Sequence, residues 1–138
     1  MRRFSSIGAG SLVVAIGVLH TVFGLALGAA PLAGIAADGY VGAVEESFDR
    51  MAIFWVLAFG FALILAGESF RAIERRGDGV PRRLGWMLAA ISLAGAAAIP
   101  ASGFWLGLVP AALVLARPRA ASGLSARSRT AGGAPTRR

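Results

Sequence analysis

The side chains equipped for chemistry are few in this sequence, and they stand far apart along it. His20 is the single histidine of 138 residues and sits inside the apolar run "SLVVAIGVLHTVFGLALGAA". Asp49 and Arg50 open a second apolar run with Trp55 shortly behind them, and Ser102 and Trp105 belong to the turn "PASGFWL". A neutral imidazole donates one hydrogen bond or passes a proton, and a guanidinium holds a carboxylate, phosphate or carbonyl with two parallel donors. With no cysteine there is no disulfide, no thiolate metal site and no thiol nucleophile. One histidine excludes a multi-histidine metal site within one chain, so no metal and no cofactor is expected.

Each of these residues also has a plain structural role. An interhelical bond from His20 is worth about 0.6–2 kcal/mol. Asp49 stands where a helix N-cap is needed, and Arg50 can anchor a helix at the headgroup layer. Trp86 and Trp105 suit the membrane interface. Arg50 has the least comfortable such role, because it is the one arginine placed against the charge rule for orientation; Glu45, Glu46 and Asp49 beside it neutralise it locally and form an acidic rim with one fixed cation.

The elements that must position these groups follow from hydropathy. A content of 57% hydrophobic residues is too high for a soluble domain of this length. Apolar runs separated by charge predict an all-α integral membrane four-helix bundle, with helices at about 7–30, 51–73, 81–99 and 103–117. The last two are short for a hydrocarbon core of about 30 Å and suffice only if their ends are included, with Pro81 at a first helical position. Between the first two runs, Pro31 can open a short interfacial helix in the outer loop, which Gly39 ends. Pro100 ends the third helix, Ser102 can cap the next, and Gly103 lets the backbone pass close to a neighbour. Residues 1–118 then form the transmembrane domain. Residues 119–138 are small, polar and arginine-rich and are expected to be a disordered basic cytoplasmic tail.

Orientation is read from the arginines, because cytoplasmic flanks retain positive charge. All 14 basic residues are arginine, and only Arg50 falls in the connections that would lie outside. Both termini are therefore expected in the cytoplasm of a multi-pass plasma-membrane protein. A cleaved signal peptide ending near "LGAA" is the rival reading, but the run is longer than a usual signal core and three more spans follow it.

This orientation gathers His20, Asp49, Arg50, Trp55, Ser102 and Trp105 at the outer side, where one outward-opening crevice would contain them all. Gly10, Gly17, Thr21, Gly24 and Gly28 form a stripe spaced by sevens and fours, the pattern of a close-packed helix seam. Glu68, Arg71, Glu74 and Arg75 read as solvated pairs at a cytoplasmic helix end. Phe48, Phe54 and Phe61 are expected to face lipid or the bundle.

The segments "DRMAIFW", "RRLGW", "PASGFWL" and "LHTVFGL" resemble those of a bacterial family of small four-helix membrane proteins of unknown function. The resemblance covers about residues 9 to 118. It implies a four-helix bundle with Asp49, Arg50, Trp55, Ser102, Gly103, Phe104 and Trp105 as motif positions, and it carries no activity. A looser similarity to DoxX-like four-helix proteins, some linked to quinone or respiratory roles, is fold-level analogy.

These observations point to a non-catalytic accessory or interaction protein. The expected partners are the bilayer with its anionic headgroups and a second copy or another membrane protein. The alternative is a binder of, or enzyme acting on, a small apolar molecule such as a lipid or quinone in the outer crevice. Nucleic acid is not implied, because arginines flanking membrane spans attract anionic lipid. A proton-coupled pump would require a carboxylate deep in a span, and no Asp or Glu stands mid-span.

Overall fold

The structure, a computed structural model, describes residues 7–117, so the tail expected at 119–138 lies outside the described residues. These residues fold into helices α1 (Ala9–Leu27), α2 (Ala29–Ala37), α3 (Phe48–Arg75), α4 (Arg82–Ala98) and α5 (Leu108–Ala116), with a 3-10 helix at Gly103–Gly107 leading into α5. The fold is all-α, and no strand occurs among the described residues. α1 and α3 are long and apolar enough to cross a membrane, while the apolar segment Gly103–Ala116 is shorter.

The helix boundaries follow from local chemistry. Gly28 alone separates α1 from α2: its N–H still donates to the Gly24 carbonyl at 2.8 Å, and its carbonyl accepts from Leu32 N–H at 3.0 Å. α2 therefore opens at Ala29 rather than at Pro31, which sits in the first turn where a missing N–H costs nothing. The cap of α3 is Ser47, whose hydroxyl accepts from Arg50 N–H at 3.3 Å. Asp49 is thus not the cap. It lies in the first turn, where its charge favours the positive end of the helix dipole. Pro81 precedes α4 with an extended backbone instead of occupying its first position. Ile99, held extended before Pro100, ends α4.

α1 is the central element, flanked by α3 on one side and α5 on the other, and α4 packs on the 3-10 helix and α5. Among the described residues, no Cα of α3 comes within 8 Å of one in α4 or α5. Small residues set the close approaches. Gly10 abuts Gly67 and Arg71, Gly17 abuts Leu63 and Ile64, Gly24 abuts Val56 and Leu57, and Gly28 abuts Ile53. α1 and α3 are therefore antiparallel, and the seven-residue steps of α1 are matched by Ile53, Gly60 and Gly67 across the seam. The Thr21 hydroxyl donates to Gly17 O within its own helix and leans on Gly60. In the second hairpin Gly85 faces Val114 and Leu115, Ser92 faces Gly107, and Gly95 faces the Phe104 ring.

Two apolar clusters result. Ala9, Val13, Phe70, Val80 and Val114 form the larger one, at the end of the molecule that carries the arginines, with Leu63, Leu84 and Leu88 packed on it. Ile35, Ala43 and Ile53 form the smaller one at the opposite end.

Candidate functional site

Away from the larger cluster, cover thins on one face of three helices, while the α1–α3 seam stays closed as far as Gly28 and Ile53. On α1 the inward stripe runs from Ala9 and Val13, 0% and 2% exposed, to Phe23 and Leu27 at 63% and 72%. On α3 the matching stripe runs from Phe70 at 9% through Phe59 at 40% to Trp55 at 64%. On α4, Leu84 and Leu88 are half-buried whereas Ile91 on the same face is exposed, although the face packed on the 3-10 helix and α5 stays buried through Ser92 and Ala96. One face of each of these three helices thus loses its cover in the same direction, away from the Val13, Phe70 and Val114 contact.

His20 is a half-buried polar group of α1 set against α3. It stands seven residues beyond Val13, so a periodicity of 3.6 residues places it on nearly the same face, two turns farther from the arginine-bearing end. Its Nε2 lies 3.1 Å from the Val56 carbonyl, an arrangement in which the Nε2–H tautomer donates. The ring meets Phe59 edge-on, with centroids 5.5 Å apart. No described residue bonds its Nδ1.

Arg50 belongs to a different structure. Its guanidinium pairs with Asp38 at 2.6 Å and Glu46 at 3.6 Å, and donates to the Ala43 carbonyl at 3.0 Å. The group lies against Gly34, where any side chain would collide with it. Arg50 therefore straps α2 and the loop 38–47 to the head of α3. Within that loop Gly39, Tyr40 and Gly42 all take positive φ, of 86°, 67° and 78°. For the bulky Tyr40 this is a strained conformation, which the strap holds in place.

Replacing Arg50 with Met removes these contacts and leaves Asp38 and Glu46 facing each other. Because both carboxylates are exposed to solvent, the expected loss is about 1–2 kcal/mol, between the values for surface and buried pairs. Hydrogen exchange should accelerate between residues 38 and 47 while α1 and the body of α3 stay protected. Uniform acceleration along the chain would contradict a local strap.

The remaining residues keep local company. Asp49 is exposed, Trp55 meets Phe54 edge-on, and the Ser102 hydroxyl accepts from Phe104 N–H at 3.4 Å. Trp105 Nε1 donates to Pro100 O at 2.9 Å, which closes the "PASGFWL" turn on itself. Among the described residues no hydrogen bond, ion pair or ring contact joins any two of His20, Asp49, Arg50, Trp55, Ser102 and Trp105. Phe48, Phe54 and Phe61 are all exposed.

Sequence reasoning missed Glu74. It is not a solvated partner of its neighbours: its two carboxylate oxygens accept from Ala9 N–H at 3.1 Å and Gly10 N–H at 3.3 Å, and Arg117 pairs with it at 2.9 Å. α1 has no capping side chain of its own, so Glu74 supplies the cap from α3. The lack of Ser, Thr, Asp or Asn just before Ala9 is the one signal in the sequence that a cap must come from elsewhere. Glu68, by contrast, pairs with Arg71 at 2.5 Å as its spacing suggests.

Neither the curated proteins nor the solved structures contain a match to this chain. Residues 5–121 match the model of a family of unknown function, DUF6463, a span that takes in every helix of the described residues. The chain belongs to that family.

Proposed function

We propose that this is a non-catalytic accessory protein of the plasma membrane that crosses the bilayer four times, with both termini cytoplasmic, and receives a transmembrane segment of a partner in its outward-opening crevice. The observation that carries the reading is the parallel loss of cover along α1, α3 and α4 toward one end. The orientation is supported by the charges. Arg71, Arg75, Arg76, Arg82, Arg83 and Arg117 cluster at the closed end, which puts the open end outside. Length supports it too. The 28 residues of α3 span about 42 Å, so both ends stand clear of a hydrocarbon core of about 30 Å, and the Arg50 strap lies in the outer headgroup layer. α4 has 17 residues, about 25 Å, and fits beside them with local thinning of the bilayer.

A second reading, a small apolar molecule held in the crevice, is favoured by the unbonded Nδ1 of His20, a single polar contact on an otherwise apolar wall. Photocrosslinking from position 55 in membranes, followed by purification in mild detergent and intact mass, separates the two. A partner chain captured in fixed ratio supports the accessory reading. A stoichiometric apolar molecule that is lost in His20→Ala supports the second. Neither, with a stable monomer, overturns both. His20→Ala itself is expected to lower stability by only about 0.6–2 kcal/mol, the worth of one interhelical hydrogen bond. It should add to Arg50→Met within a few tenths of a kcal/mol, because the two residues share no partner.

A further inference from the structure

We propose that the arginine-bearing end of the α1–α3 pair holds a binding site for the phosphate of a membrane phospholipid with a hydroxylated, anionic headgroup. The inference rests on the orientation proposed above. A hollow of about 440 Å³ opens at this end, with Ser11, Arg71, Glu74, Arg75, Asp78 and Arg117 in its lining. Three guanidiniums there face the carboxylates of Glu74 and Asp78, with Glu68 beside Arg71 and Arg75, so the cluster is balanced and a ligand is held by individual donors.

The commitments of these groups decide which of them meet a ligand. Glu74 is fully engaged by the amides of Ala9 and Gly10 and by Arg117. The positive end of α1 is therefore already filled and is not the anion site. Arg71 is held by Glu68. Arg75 reaches Glu68 only at 4.0 Å and is mostly exposed, and no described residue bonds the Ser11 hydroxyl. Arg75, held only by that long pair, and Ser11 are the least committed donors, on opposite helices of one hollow. A phosphodiester takes a guanidinium and a hydroxyl together. Asp78 would repel a bare anion, but it accepts hydrogen bonds from the hydroxyls of a glycerol headgroup.

The surface beyond the hollow fits the rest of a lipid. Val18 shares a face of α1 with Ser11, and Phe61 shares a face of α3 with Glu68 and Arg75, each at steps of seven residues. Val18 and Phe61 are exposed apolar side chains, as is Leu65 beside them. An acyl chain leaving the phosphate runs along this groove into the bilayer. Basic pockets between helices at the cytoplasmic surface are suited to such headgroups.

The test uses detergent-solubilised full-length protein, wild type and Arg75→Gln/Ser11→Ala, with native mass spectrometry and thermal shift. The probes are dioleoyl phosphatidylglycerol, dioleoylglycerol and inorganic phosphate. Wild type should retain one phosphatidylglycerol per chain and melt higher with it. The double variant should bind it at least about fivefold more weakly, the loss of roughly one surface cation, with an unchanged lipid-free melting temperature. If the double variant fails to fold, Ser11→Ala alone carries the comparison. Equal retention by both proteins, or equal retention of dioleoylglycerol, overturns the site. A melting shift with millimolar phosphate as large as that with lipid overturns the lipid assignment in favour of a free anion. Sidedness is read separately by labelling at position 79. An outside label there overturns the orientation, whereas an inside label combined with no lipid discrimination overturns only this site.

Discussion

Gly67→Val is expected to destabilise the protein by about 1–3 kcal/mol, at the upper end of that range, because the obstacle is backbone. A Cβ on Gly67 would stand 2.6 Å from Val14 N and 2.9 Å from the Gly10 carbonyl, so neither a rotamer change nor a side-chain shift relieves the clash. α1 and α3 must separate, which thins every contact along the seam and undoes the apolar cluster at Val13 and Phe70. Interfaces between helices in lipid depend on such close approach, since burying apolar surface from lipid gains little. Gly79→Ala is the control: a Cβ there meets nothing within 4 Å, so the change should be neutral or slightly stabilising. Thermal unfolding in detergent distinguishes the two. A Gly67→Val protein that melts with wild type would show that the glycine contact does not hold the helices together.

Glu74→Ala should rank next, with a loss of about 1.5–3 kcal/mol, the range for hydrogen bonds to a charged group. The substitution leaves the amides of Ala9 and Gly10 without acceptors and Arg117 without its carboxylate. Glu74→Gln keeps one acceptor oxygen and should fall between alanine and wild type. Hydrogen exchange in the first turn of α1 should accelerate in the same order. If exchange there is unchanged while stability falls, the cap is not what Glu74 contributes.

How much of this was legible in the sequence depends on the range of each interaction. The seven-residue spacing of Gly10, Gly17 and Gly24 is visible by inspection, and those residues stand against α3 because only glycine leaves room for its backbone. The Glu68–Arg71 pair is local and equally visible. The cap of α3 was misplaced by two residues, since Ser47 and Asp49 are both good capping residues and only the start of the helix at Phe48 decides between them.

Longer-range features had no local signature. Arg50 has acidic neighbours at 45, 46 and 49, yet its tightest partner is Asp38, which the near-continuous α1–α2 rod and the loop bring back to it. Glu74 acts 64 and 65 residues away in the sequence. The loss of cover along one face of α1, α3 and α4 could not be read either. Their apolar stripes continue unbroken away from the arginine-bearing end, and composition does not distinguish a face covered by a helix from one covered by lipid.

The central claim, four crossings with the crevice opening outward, is tested most directly by single-cysteine labelling in intact cells. The natural chain has no cysteine, so each introduced thiol reports alone. Val41→Cys in the loop between α2 and α3 and Ala101→Cys in the turn after α4 lie at exposed positions, as does Gly79→Cys between α3 and α4. A membrane-impermeant maleimide should label positions 41 and 101 on intact cells and position 79 only after permeabilisation. Labelling of position 79 from outside, or protection of position 101 until the cells are opened, would contradict the four-crossing arrangement and with it the outward-facing crevice.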